Sequence, residues 1–192
     1  MQLSKLSYYS DFVVYPLVLM ALTAINIHRV TTWVSGAEWL GACMAGLVLW
    51  TLAEYALHRI ALHRMSYFSP MHGLHHASPL ALIGTPSWIS VSVLSAAILV
   101  PAWLCFGFNV ADGLTVGVML GYWWYGVVHH VIHHRGNGSS FAYFDDLRAW
   151  HMRHHYSPKR GNFGVTTSVW DHVFGTAIRA HDRAHDKAAA SS

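Results

Sequence analysis

The sequence predicts an all-α integral membrane protein, a single domain over residues 1–179 with four spanning helices. Three observations carry this reading. Charged residues are only 11% of the 192 and apolar residues 54%, whereas soluble globular proteins are about 25% charged. Four stretches free of formal charge run over 12–28, 39–53, 77–111 and 113–134. Once spans are drawn there, 11 of the 12 Lys and Arg fall on one side of the membrane and only Arg29 on the other, which makes the first side cytoplasmic.

Each element follows from this frame. A bilayer core needs roughly 20 residues of helix, which the third and fourth stretches supply and the second reaches if 54–57 continue it. The first stretch is short enough to suggest a signal peptide. It is preceded by one Lys and one Asp, however, and no A-x-A-like site follows, so it is expected to remain as a helix. Polar breaks at 29–36 and 109–113 are expected to be tight turns, and 59–78 and 135–160 longer polar segments. Pro86 fits the first helical position of the third span. The Ala- and Ser-rich stretch 180–192 reads as a frayed tail. Four spans place both termini, the 59–78 segment and the segment after the last span on the cytoplasmic face.

Composition also excludes. A net charge of +3 with no basic run argues against nucleic acid as a partner. Cys43 and Cys105 lie in apolar stretches and form neither a disulfide framework nor a CxxC site, so they are expected to be small buried side chains.

Histidine is the anomaly, with 16 residues against 12 Lys and Arg. Twelve fall in four clusters: His58 and His63; His72, His75 and His76; His129, His130, His133 and His134; His151, His154 and His155. All lie on the predicted cytoplasmic face, although the topology was drawn without them. On a helix, HxxHH points three imidazoles into one space. The i, i+4 spacing pairs His129 with His133 and His130 with His134 on neighbouring stripes, one pair facing the site and the other behind it, with His130 expected behind. Neutral imidazole suits Fe, Zn, Cu or Ni, and an ion takes about four to six donors, so ten or more convergent histidines imply two ions. A dozen partly buried imidazoles without metal would be costly near a low-dielectric region. The isolated His28, His181 and His185 read as interfacial or hydrogen-bonded residues. Glu54, one turn before His58, is placed either to accept the spare ring N–H of a histidine or to pair with Arg59. Asp145, Asp146 and Asp171 offer similar acceptors, Asp171 in the best setting.

With EYALHRIALH, HGLHH, HHVIHH, HMRHH and GNFGVTTSVWDHVFGT in this order over about 54–176, the chain resembles the fatty acid hydroxylase and sterol desaturase superfamily of membrane di-iron enzymes. The resemblance implies a four-helix bundle whose cytosolic, histidine-rich cap of short helices holds two Fe ions, with Zn an alternative occupant of the purified protein. Carried over residue by residue, the metal ligands are His58, His63, His72, His75, His76, His129, His133, His151, His154 and His155. His130 is extra to the HxxxHH pattern, which leaves the frame of the third box open and puts His134 adjacent to the ligands or behind them. His172 sits where the family varies and is expected not to be a ligand. The GNFGV…WDHVFGT wording is most similar to that of fatty acid and ceramide 2-hydroxylases. That implies hydroxylation of a lipid acyl chain near its carboxyl end, with O2 and membrane lipids as further partners. A chain too short to hold a cytochrome b5-like domain beside four helices implies an external electron-donor protein.

Sterol or carotenoid desaturases and hydroxylases share the boxes and are the alternative. A membrane metal transporter would place its site near the bilayer midplane, whereas these histidines crowd one face. A b-type cytochrome needs only a pair of axial histidines and leaves the HxxHH triads unexplained. Trp88, Trp123, Trp124, Tyr122 and Tyr125 fit a substrate groove and an interfacial aromatic belt equally well.

Overall fold

A computed structural model describes residues 2–135 and 142–178. The 180–192 tail, with His181 and His185, lies outside the described residues. Within them every regular element is helical, and the only β pairing is an isolated bridge between Gln2 and Ile83.

The chain opens with α1 (Lys5–Tyr9), whose start is capped by the Ser4 hydroxyl accepting Ser7 N–H at 3.2 Å. Ser10 keeps helical backbone angles, so α1 runs on into α2 (Asp11–Ile27). A capping box of Thr32 and Ser35 starts α3 (Trp33–Ala56), which continues through a π-helical turn (Leu57–Leu62). The short α4 (Ser69–Ala77) follows. Then α5 (Ser87–Leu94), a second π-helical turn (Ser95–Leu99) and α6 (Val100–Phe106) form one continuous segment. The longest element is α7 (Phe108–His134), followed by α8 (Ala142–Tyr156) and α9 (Val169–Val173).

Three segments are long and apolar enough to cross a membrane: Lys5–Ile27, Trp33–Leu62 and Ser87–Phe106. They make this a membrane protein. The fourth predicted span corresponds to α7, which is 27 residues long but is not among the three. Its glycines, aromatic residues and histidines lower its mean hydropathy, and its position explains why that is tolerated. It packs against α2, α3, α5, α6 and α8, so much of its surface meets protein.

Closest packing is between α3 and α7. Gly113, Gly117 and Gly121 recur every four residues on the α7 face that meets α3. A Cβ on Gly117 would stand 2.0 Å from the Cys43 carbonyl oxygen, and one on Gly46 2.4 Å from that of Leu114. The two backbones touch, as small-residue stripes allow in membrane helices. Beneath this contact, Val128, Ile132, Leu147 and Val165 form a buried cluster joining α7, α8 and the segment after α8.

Several boundaries depart from the sequence reading. The 109–113 run is helix, not a turn: the break is at Gly107, whose φ of 81° lies in the left-handed region. Its polar residues tie helices together instead. Asn109 accepts from Asn26 Nδ2 at 3.1 Å and donates to the Ser35 carbonyl at 2.9 Å, and the fully buried Asp112 accepts from Trp39 Nε1 at 2.7 Å. The first turn is shorter than 29–36 because α3 begins at Trp33. Pro86 is the N-cap of α5, one position earlier than predicted. Cys43 is buried, but Cys105 is exposed at the end of α6, where an apolar stretch faces outward.

Candidate metal centre

His58 and His63 are five apart, which on an α-helix separates them by about 140°. The π-helical turn Leu57–Leu62 tightens that angle, and the two rings lie 5.2 Å apart. From α4 come His72 and His76, four apart on one face, and from the last turn of α8 comes His154. Their Nε2 atoms converge. His72 Nε2 is 3.0 Å from those of His58 and His76 and 3.1 Å from that of His63, while His154 Nε2 is 3.1 Å from those of His63 and His76. A second group gathers His75, His129, His133 and His151, with Nε2 separations of 3.1 Å for His75–His129 and 3.0 Å for His133–His151. His155 lies between the groups, stacked on His76 at 4.2 Å and with Nε2 3.1 Å from that of His151. Ten predicted residues are thus brought together, nine of them in two compact sets.

Hydrogen bonding alone does not account for the first set. His58 Nδ1–H donates to the Phe163 carbonyl at 2.6 Å and His154 Nδ1–H to that of Gly161 at 2.8 Å. This tautomer leaves both Nε2 atoms as bare lone pairs. His72 Nε2 faces three other Nε2 atoms and can share one proton with only one of them. Converging lone pairs repel unless a cation sits among them, so the donor set fits a metal ion. Nitrogens 3.0–3.1 Å apart are close enough for His58, His63, His72, His76 and His154 to hold one ion in common.

Charge state supports the same reading. Burial, reinforced by neighbouring imidazoles, lowers His63 and His75 to about 4, His154 to about 3 and His155 to about 2, and lowers His72 and His151 as well; burial alone lowers His76. At neutral pH these rings are uncharged, the form that binds metal.

Two of the buried carboxylates, Glu54 and Asp171, act at one remove from the histidines. Glu54 was expected to take a ring N–H or to pair with Arg59; it does neither. Its Oε1 accepts Val165 N–H at 2.6 Å and Thr166 N–H at 2.9 Å, and its Oε2 accepts the Thr166 hydroxyl at 2.6 Å. Arg59 donates instead to the Tyr55 hydroxyl at 2.7 Å. Asp171, fully buried, takes Phe163 N–H at 2.9 Å, Gly164 N–H at 2.8 Å and the Thr176 hydroxyl at 2.6 Å. Asn162, left-handed at φ 55°, closes the loop by accepting Ile178 N–H at 2.7 Å. Two carboxylates therefore hold 163–166, Asp171 the first two residues and Glu54 the next two, and carbonyls of the same loop orient His58 and His154. Three donors apiece satisfy charges that burial would otherwise make expensive.

The remaining predicted residues stand outside the two sets. His130 meets Tyr8, whose hydroxyl is 3.1 Å from its Nδ1, and stacks on His134 at 4.4 Å. The pair facing the centre is thus His129 and His133, a choice the spacing left open. His172 is exposed and lies 5.5 Å from the Trp150 ring, His28 is exposed at the end of α2, and Asp145 lies in the first turn of α8 with Asp146 next to it.

A cavity of about 340 Å³ opens onto both groups, touching His58, His72, His75 and His129. Tyr122, Trp123 and Tyr125 line it. Trp124 belongs to a separate depression and Trp88 is 72% exposed, so the five aromatics divide between groove and surface. Sequence reasoning missed the α7 glycine stripe, although its spacing of four is a readable sign of close helix packing; the groove it offered is present, lined by three of the five aromatics it named.

A membrane-embedded helical scaffold with two histidine sets beneath an apolar cavity defines the class, and comparison with known proteins supplies the family. The fatty acid hydroxylase family model matches residues 43–176, and the chain belongs to that family. A fatty acid 2-hydroxylase of Rattus norvegicus is 32% identical over 152 residues, 72% of this chain and 40% of that one. A ceramide very long chain fatty acid hydroxylase, scs7, of Schizosaccharomyces pombe is 35% identical over 144 residues, covering 68% and 40%. A dihydroceramide fatty acyl 2-hydroxylase of Arabidopsis thaliana is 32% identical over 145 residues, covering 68% and 58%. The chain spans about two fifths to three fifths of the length of these relatives. The solved structure of full-length scs7p, in which only the hydroxylase domain is visible, superposes with a TM-score of 0.75 at 24% identity. That match covers 90% of this chain and 67% of the other, and it shows a shared fold.

Proposed function

We propose that the chain is a multi-pass membrane oxygenase that hydroxylates a lipid acyl chain next to its carbonyl, using two Fe ions, O2 and electrons from a separate donor protein. One observation carries the reading: two converging sets of imidazole nitrogens form the floor of an apolar cavity. The names of the relatives, all lipid hydroxylases, support the substrate class.

In this reading His58, His63, His72, His76 and His154 hold one ion, and His75, His129, His133 and His151, with His155 beside them, hold the other. Two redox-active ions bound there supply the chemistry, in which O2, two electrons and two protons turn C–H into C–OH and release water. The protein's own part is positional. Loop carbonyls of Gly161 and Phe163 hold rings at fixed angles, and Glu54 and Asp171 keep that loop in place. Tyr122, Trp123 and Tyr125 offer an apolar wall along which an acyl chain displaces water. In the proposed topology α7 is a fourth span and the histidine sets sit at the cytoplasmic boundary, where an acyl chain meets its head group. The strong Lys and Arg asymmetry supports that orientation. The described residues form one domain.

Incubating the metal-loaded protein with lipid, a reductant and isotopically labelled O2 tests the reaction. One labelled oxygen per product lipid, on the carbon beside the carbonyl, is expected. An unlabelled product lighter by two hydrogens would replace hydroxylation with desaturation.

A further inference from the structure

The cavity has a polar wall that metal binding leaves unused. Of its two carboxylates, Glu54 is committed to Val165 and Thr166. Asp11, in the first turn of α2, is different. It is partly buried, it lines the cavity that touches the histidines, and the Ser87 hydroxyl donates to its Oδ1. Ser10 Oγ lies 2.7 Å from Ser87 Oγ and is itself held by the Ser7 carbonyl, its single proton shared between the two acceptors. Asp11 Oδ2 has no hydrogen-bond partner among the described residues. An Asp at a helix start ordinarily serves the free amides there, but Val13 N–H and Val14 N–H already bond the Ser10 carbonyl at 3.0 and 2.8 Å, and no side chain caps α2. Among the described residues no Lys or Arg lines the cavity. A carboxylate oxygen is thus presented to the cavity with no basic side chain beside it, at a place apart from the histidines.

We propose that Asp11, oriented by Ser87 and Ser10, is the specificity-determining residue that receives the substrate's head. It selects a neutral lipid offering an N–H or O–H beside the acyl carbonyl over a free fatty acid or another anionic lipid. This rests on the lipid-hydroxylase reading above. A donor meeting a carboxylate forms a short, charge-assisted bond about twice as strong as a neutral one, whereas a second carboxylate is repelled. Because Asp11 and the histidines border one cavity, a head anchored at Asp11 keeps the first acyl carbons, not the far end of the chain, in the space the histidines border. Asp11 lies outside the 43–176 region matched by the family model, so this selectivity belongs to the part of the chain that the shared motif does not cover.

The test uses the full, metal-loaded chain in neutral-lipid nanodiscs, as wild type, Asp11→Asn and Ser87→Ala. The probes are an N-acyl sphingoid base and the free fatty acid of equal chain length. Two readouts are taken: kcat and KM for each lipid, and, without turnover, the Tm shift each lipid produces. Wild type is expected to favour the amide lipid about tenfold or more in kcat/KM. Asp11→Asn should keep its metal and bring the two lipids close to equality, through a raised KM for the amide lipid with kcat little changed. Ser87→Ala should move the ratio the same way by about threefold, and it decides the matter if Asp11→Asn does not fold. An unchanged lipid preference in metal-loaded Asp11→Asn, or a wild type that binds the free acid better, overturns the proposal. If neither lipid is turned over, the hydroxylase reading fails, while the Tm shifts still decide the role of Asp11.

Discussion

The two histidine sets hold similar donors but are built by different means. His58 and His154 of the first set are fixed from outside by carbonyls of the 161–163 loop, and that loop is clamped by Glu54 and Asp171. In the second set, His129 and His133 stand on the last turns of α7, and His151, like the neighbouring His155, has a buried Nδ1 with no hydrogen-bond partner among the described residues. The first set is organised by hydrogen bonds that need no metal. The second is organised by helix packing, which fixes where a ring starts but not how it turns. Identical ligand chemistry therefore does not mean identical preorganisation.

Removing a donor tests both sets hardest. His72→Ala deletes the nitrogen that faces three others and should lose one of about two transition-metal ions per chain, with activity falling more than about 100-fold. His151→Ala should lose the other ion, and His130→Ala neither. Elemental analysis and turnover together check this, and a fully active His72→Ala protein would refute the assignment. A smaller effect separates the sets. Asp171→Asn turns an acceptor of the Gly164 or Phe163 N–H into a donor, so the loop loosens and chelators should strip the first ion about 10–100-fold more readily while the second is unchanged. Equal loss of both ions would erase the contrast drawn above.

Acid should act on both sets alike. The unfolded chain carries imidazoles of pKa about 6.5, whereas His63 and His75, one from each set, sit at about 4 when folded. Between pH 6.5 and 4 the unfolded state binds protons that the folded state refuses, so the metal-free protein is expected to lose stability as pH falls through that window and to regain it as pH rises. A Tm that stays flat from pH 7 to 4.5 would contradict the buried, neutral rings.

Much of this was legible in the residues. Histidine boxes announce themselves by spacing, and long uncharged stretches locate the helices. The role of GNFG and WD was not legible, because Asp171 and Glu54 act on backbone N–H groups that any residue supplies, and which backbone lies near is a tertiary matter. The 109–113 run misled for a related reason: Asn109 and Asp112 look like turn formers until their partners Asn26, Ser35 and Trp39 on neighbouring helices are seen. Spacing alone left the third box open between two pairs, and the resemblance pointed to His129 and His133; α7's rotation about its axis, with its glycine face turned onto α3, brings that pair to the centre.

That touching of α3 and α7 also bears on how the protein meets bilayers of different thickness. A loosely packed span answers a thicker or thinner membrane by tilting or sliding against its neighbours. Two helices in backbone contact along Gly46, Gly113 and Gly117 cannot slide without driving carbonyl oxygens into α-carbons. They form a strut, and the strut carries His58 at one lower end and His129 and His133 at the other. Helices α2 and α5–α6, whose outer faces expose Val13, Leu17, Val93 and Leu104, are left to take up the strain. The spacing between the two histidine sets is thereby a property of the protein, insulated from the lipid mixture around it.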